Sequence, residues 1–357
     1  MLDRALLRAL RFGTLLLVLA VGGHAKAQAP IDASLQTLWR AHAFTCPATA
    51  NWPAFPARKP AGSDTCDDGD ETLFHGLMCA AGMPEGCSAV LASQTADGRW
   101  YRSPRRAAMA RVTCSSATAT EEEKKKWCEN SFSPDMALGV QLYAHTTGAA
   151  AAVGKWVEWI DANRPCEIDM PNGCVRGLPR FCTDDTEGGC TLRPGDYATL
   201  AMSLEALGLV KFGPPSSCPA GTATGLKIGD VFLKGLCTFR PKAVDVLLAD
   251  SLVNKPGYSQ HLVGVGVWVL NKAKVSDPRI NAAAVVLNTK QPKNPFFAYL
   301  AGLPPATVRD MTIKLCPSSQ QSIPTEPDDW GWQREDAAEA WKHSVLWDCL
   351  FMATLLK

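Results

Sequence analysis

Polar groups return to the starts of apolar helices at nearly even intervals along this chain. Asp70, Asp135, Asp196 and Tyr258 each open a predicted helix, and they lie 65, 61 and 62 residues apart. Asp328-Asp329-Trp330 follows 70 residues beyond Tyr258. No strict sequence repeat accompanies the recurrence, so its meaning is architectural. Helical hairpins wrapped around one axis would bring their leading ends to a shared cleft.

The helices themselves are read from apolar spacing and from their caps. Leu35, Leu38, Trp39 and Phe44 give a helix over 32–44, with Asp32 or Ser34 as cap. Leu73, Phe74, Leu77 and Met78 share a face of 70–82, which stops at Gly82. Ser133 and Pro134 mark the start of 133–147 as cap and first helical residue. Residues 150–163 follow at once and complete an αα-hairpin. Similar hairpins are drawn at 195–209 with 242–253 and at 258–273 with 278–289, and a final helix at 336–355. Strand signals are sparse: Lys227 to Phe232 and a short piece near Thr238. The expected class is therefore all-α, an (α/α) toroid or barrel of five to six helical hairpins with long disulfide-clipped loops. Those loops span 46–69, 97–130, 164–194, 213–240 and 315–335, and ordered loops of that length are usually functional.

Compartment follows from the two ends of the composition argument. Arg4, Arg8 and Arg11, the apolar run Phe12 to Val21, and Ala25-Lys26-Ala27 read as a cleaved secretory signal over 1–27. The run is too short for a membrane anchor, which needs about 20 apolar residues. Residues 28–357 then form a single domain, periplasmic or secreted, with no later membrane span. All 14 cysteines follow the signal, and an even count in an exported chain argues for disulfides. Cys114 with Cys128 is one expected clip, and Cys166, Cys174, Cys182 and Cys190 pair among themselves. A zinc site would need short paired spacings with matching His, and none occurs. Asp184, Asp185 and Glu187 lack the alternating ligands of a calcium loop. Neither a metal nor a cofactor is expected. A net charge of +1 with scattered basic residues excludes a nucleic-acid stripe.

Five polar clusters remain as candidates for chemistry. Asp67-Asp68-Gly69-Asp70-Glu71, with His75 one turn on, offers carboxylates at a helix start. Asp68 with Glu71 three residues later is equally a capping box, and Asp135 alone is explained by helix-start electrostatics. Asp97 to Arg106 places Trp100, Tyr101, Arg102 and Arg105 in a turn. Aromatic faces and guanidinium forks there suit sugars and their anionic substituents. Arg193-Pro194-Gly195-Asp196 is a third turn entering a helix, more simply a cap. Tyr258 and His261 share a helical face as an acid–base pair or as core residues. Asp329, Trp330 and Trp332 make a stacking platform or a packed rim. The run Glu121 to Lys126 is read as a solvated helical turn. No nucleophile elbow, P-loop or H-E-x-x-H occurs.

With capped hairpins and acids at alternate helix starts, the chain resembles the (α/α)-toroid carbohydrate-active enzymes. Asp67–Gly82 and Ser131–Tyr143 are similar in placement to the acid-bearing segments of inverting glycosidases such as glycoside hydrolase family 8. Asp68-Gly69-Asp70-Glu71 stands where that family carries an S-E-G-Q-type run. The resemblance implies an inverting hydrolase of a polysaccharide or oligosaccharide, with Asp70 or Glu71 as proton donor and Asp135 as base. His75, Trp100, Arg102, Arg105, Asp196, Tyr258, His261, Asp329, Trp330 and Trp332 would contact substrate. A lyase using Tyr258 and His261, with Arg102 or Arg105 on a uronate, is the first alternative. A non-catalytic glycan- or protein-binding module is the second.

Overall fold

Helices build most of the structure. The computed structural model describes residues 30–58, 66, 69–128, 132–171, 173–183, 189–213, 221–222, 225–323 and 346–357. The signal segment 1–27, Asp67, Asp68, the acids 184–187, and Asp329, Trp330 and Trp332 lie outside these residues.

The first half runs α1 (Ala33–His42), strands β1 (Thr45–Cys46) and β2 (Phe55–Pro56), then α2 (Glu71–Ala80), α3 (Pro84–Ala92), α4 (Pro104–Cys114), α5 (Glu121–Cys128), α6 (Pro134–Thr147) and α7 (Ala150–Ala162). The hairpin β3 (Cys166–Met170) and β4 (Gly173–Arg176) leads to α8 (Pro194–Ala206), the pair β5 (Val210–Lys211) and β6 (Gly221–Thr222), and α9 (Asp230–Phe239). Then come α10 (Ala243–Val253), α11 (Tyr258–Lys272), α12 (Pro278–Lys290), α13 (Pro295–Leu300), α14 (Pro305–Leu315) and α15 (Leu346–Leu355). The three strand pairs are each two-stranded and antiparallel.

Three helices carry the interior. All ten residues of α2 are buried, and α11 is buried from Val263 through Leu270. A helix apolar on every side belongs in the middle of a core. Between them α6 packs on both. Its crossing with α2 is unusually close because glycine faces glycine: a Cβ at Gly76 would land on the Gly139 backbone, and one at Gly139 would strike Thr72 and Leu73. Outside this layer, α8 packs on α10 and α11, and α10 on α12. One cluster of buried apolar side chains runs from Ile31 to Leu356.

The local signals act as expected where they were clear. Pro134 opens α6 and Gly148 ends it in the left-handed region at φ 71°. Asp32 accepts from the Ser34 amide at 2.7 Å and starts α1. Cys114–Cys128, Cys166–Cys174 and Cys182–Cys190 are bonded, as are Cys46–Cys66, Cys79–Cys87 and Cys316–Cys349.

Two expectations are corrected. The stretch from Lys227 toward Thr238 is no strand: Asp230 begins α9, which buries Phe232, Leu236 and Cys237 on one helical face. The segment 97–130 is no long loop, because Ser103 accepts from the Arg106 amide at 3.1 Å and Pro104 launches α4. No helix among the described residues is long and apolar enough to cross a membrane.

Candidate active site

Four helix starts meet through their side chains. Asp70 is the N-cap of α2, yet its carboxylate makes no capping bond. It pairs with the Arg102 guanidinium at 3.2 Å. Arg102 also donates to the Ser133 hydroxyl at 3.4 Å. Ser133, the N-cap of α6, leaves its own helix uncapped and donates to Asp135. The second Asp135 oxygen accepts from the phenol of Tyr258, the first residue of α11. Asp135 thus accepts on both oxygens, the hydrogen-bonding role of an ionised carboxylate.

Tyr258 is fixed by the residue before it. Gly257 has φ 102° and ψ −148°, a conformation open essentially to glycine alone. Burial raises the Tyr258 phenol far above its ordinary value, and the charges of Asp135 and Asp70 push it the same way. The phenol therefore keeps its proton and acts as a donor.

Asp135 opens onto a cleft of about 570 Å³ between α6, α8, α10 and α11. Asp196, Asp250, Asn254, Ser259 and Arg193 line it as well. Asp196 sits in the first turn of α8 and accepts from the Arg193 amide at 2.8 Å, so the capping role expected of it is real. Burial nevertheless lifts its carboxyl to about 6, the Arg193 amide and charge opposing, and the Asp135 charge adding to the rise. Asp250 is raised by burial too. Asp135 and Asp196 are thus two carboxyl groups of one cleft in unlike surroundings. Such a division assigns acid and base roles in carboxylate-dependent catalysis.

Other expected site residues face elsewhere. Glu71 is 1% exposed and His75 0%. Glu71 accepts from the Arg58 amide at 3.3 Å, and His75 Nε2 lies 2.6 Å from the Pro56 carbonyl. Together they fasten α2 to β2, and burial holds His75 neutral, at about 4. Trp100 is a core ring: its indole donates to the Val90 carbonyl at 2.9 Å, and Trp156 meets it edge-on at 5.7 Å. It offers no platform to a sugar. Arg105 donates to the Cys66 carbonyl at 3.1 Å and lies over the Trp127 ring at 5.7 Å. His261 is fully buried between the rings of Tyr258 and Phe296, where desolvation holds it neutral.

Asp250 and Asn254 went unmarked in the sequence, and Ser259 stood there only as the neighbour of Tyr258 in the cluster Gly257 to His261. They belong to the last turn of α10, the connection after it and the start of α11, and the only hint was the Asn-Lys-Pro-Gly break at 254–257. Among the described residues no group of His, Cys, Asp and Glu is arranged to hold a metal ion. Comparison with protein-family models, with curated proteins and with solved structures finds no match for this chain.

Proposed function

We propose that this chain is an exported glycan hydrolase of acid–base type, with Asp196 as proton donor and Asp135 as the base that activates water. The observation that carries this reading is the sharing of one cleft by two differently placed carboxyl groups. Asp196, whose carboxyl is raised to about 6 chiefly by burial, keeps its proton into the weakly acidic range and there suits protonation of a leaving glycosidic oxygen. Asp135, held by Tyr258 and Ser133, suits activation of water from the other side. Asp70, expected as a donor, is here a positioning residue: through Arg102 it orients Ser133, which orients Asp135. Glu71 is withdrawn as donor, since a carboxyl buried against β2 does not reach a substrate.

Within this reading α2, α6 and α11, with α8 beside them, are part of an (α/α) toroid, and cleavage inverts the anomeric carbon. The disulfides and the segment 1–27 support work in an oxidising compartment outside the cytoplasm. The elimination alternative asks Tyr258 to be the base, which two neighbouring carboxylates oppose.

The test is a depolymerisation screen of oxidised protein on neutral, amino and acidic polysaccharides, with Asp135→Asn and Asp196→Asn as controls. New reducing ends lost in both variants support the assignment. Products absorbing in the near ultraviolet that survive Asp135→Asn replace hydrolysis by elimination. Cleavage retained by Asp196→Asn but lost in Asp70→Asn returns the donor role to Asp70. Inactivity on every class favours a binding module.

A further inference from the structure

A second cavity, of about 520 Å³, opens at the far end of α11. It lies ten residues past Tyr258, which is about 15 Å along a helix axis. Its size falls in the range of about 300–1,000 Å³ typical of small-molecule sites. Trp268, Asn271, Asn281 and Tyr299 supply its polar groups, with Leu303 and Val308 beside them.

The hydrogen-bonding state of those groups bears on what the cavity could hold. Trp39, Trp100 and Trp347 each donate the indole N–H to a backbone carbonyl, at 2.7, 2.9 and 2.6 Å, while the N–H of the core ring Trp156 finds no partner among the described residues. Trp268 is 5% exposed, and its N–H makes no hydrogen bond among the described residues. The Tyr299 hydroxyl and the two side-chain amides make none there either. Phe296 and Phe351 brace Trp268 edge-on at 5.7 and 5.8 Å, so the ring is fixed rather than free to find a partner. Among the described residues of the lining Lys357 is the only charged one, whereas the first cleft carries three aspartates and an arginine.

We propose that this cavity is a separate, non-catalytic site for a neutral sugar ring. A pyranose presents C–H faces to aromatic and aliphatic side chains, while its hydroxyls both give and take hydrogen bonds. Asn amides do both, and the indole N–H and phenol complete the set. Such a site grips a glycan away from the cleft, and it stands whether or not the cleft hydrolyses anything.

Isothermal titration calorimetry of the full oxidised protein with cellohexaose and with maltohexaose, at millimolar concentrations, tests the assignment. Hexagalacturonate serves as the charged control. Saturable binding of a neutral hexasaccharide is expected, weakened about tenfold or more in Asn271→Ala/Asn281→Ala and in Tyr299→Ala, and intact in Glu122→Gln on the exposed α5. Because Asn271 and Asn281 are exposed, the double variant keeps its fold, which circular dichroism checks. No saturable binding of either neutral sugar overturns the proposal. So does binding that persists in both cavity variants, or equal binding of hexagalacturonate.

Discussion

Tyr258 donates its phenolic hydrogen to Asp135 across 123 residues of chain. The bond joins the starts of α6 and α11 and leaves Asp135 facing the cleft. Two hydroxyls on one carboxylate hold its plane, as a base requires if it is to direct a water molecule.

On a substrate found by the screen, Asp135→Asn is expected to lower kcat by about 10²–10⁴-fold, the usual worth of a positioned base. Tyr258→Phe removes one donor and lowers kcat by about 10–100-fold, since a hydrogen bond to a charged group contributes about 1.5–3 kcal/mol. Steady-state kinetics read the difference. A rise in KM with kcat unchanged would make Tyr258 a substrate contact and not a partner of the base.

Asp196 predicts a pH dependence of stability with a definite sign. Its carboxyl stands at about 6 in the folded protein against an ordinary 3.8, chiefly through burial. Between those values the native state binds the extra proton. The group's contribution is therefore complete below the unfolded value and is lost as pH rises through about 6. Asp196→Asn retains an oxygen for the Arg193 amide and should melt above the parent protein near pH 8, with no advantage near pH 3.5. Melting curves across that window decide it. Hydrolysis, if Asp196 is the acid, declines above about pH 6 as the proton is lost.

The crossing of α2 and α6 should tolerate no side chain. Gly139→Ala places a methyl against the Thr72 carbonyl and is expected to cost about 1–3 kcal/mol in urea denaturation. It also spreads Asp70 from Asp135 and lowers activity. Gly148 meets nothing within 4 Å and needs only its left-handed backbone, so Gly148→Asn should cost less than about 1 kcal/mol. Equal stability of Gly139→Ala and the parent would show that the helices can part freely.

Replacing Cys316 and Cys349 together by Ser releases α14 from α15, a closure of 33 residues. A loss of about 2–4 kcal/mol is expected. Differential scanning calorimetry of the double variant would register it, and an unchanged transition would mean that packing alone holds α15.

Much of the scaffold was legible in the residues, and so was part of the site. Ser133-Pro134-Asp135 announces a helix start by side-chain chemistry, and Asp135 does face the cleft. Asp70 and Glu71 differ by one position, and helical phase sends Glu71 inward toward Arg58 and His75 while Asp70 meets Arg102. That choice is made by the neighbouring helices, not by local pattern. Trp100 sits in a turn rich in charge, which reads as surface, yet Val90 and Trp156 draw it into the core. Pro104 begins a helix inside 97–130, which reads as loop because Gly, Pro and Cys around it outweigh the start signal, and the helices begun by Pro84, Pro295 and Pro305 carry no assignment from the sequence. Asp250 belongs to no motif, and only the packing of α10 beside α8 and α11 brings it to Asp196.

Each of the six described disulfides joins a cysteine to the very next cysteine along the chain. An oxidant meeting thiols in order of their arrival would make these native pairs without reshuffling. For these six pairs maturation can be vectorial: each loop can be sealed before the following thiol is exposed, which leaves an isomerase nothing to correct among them.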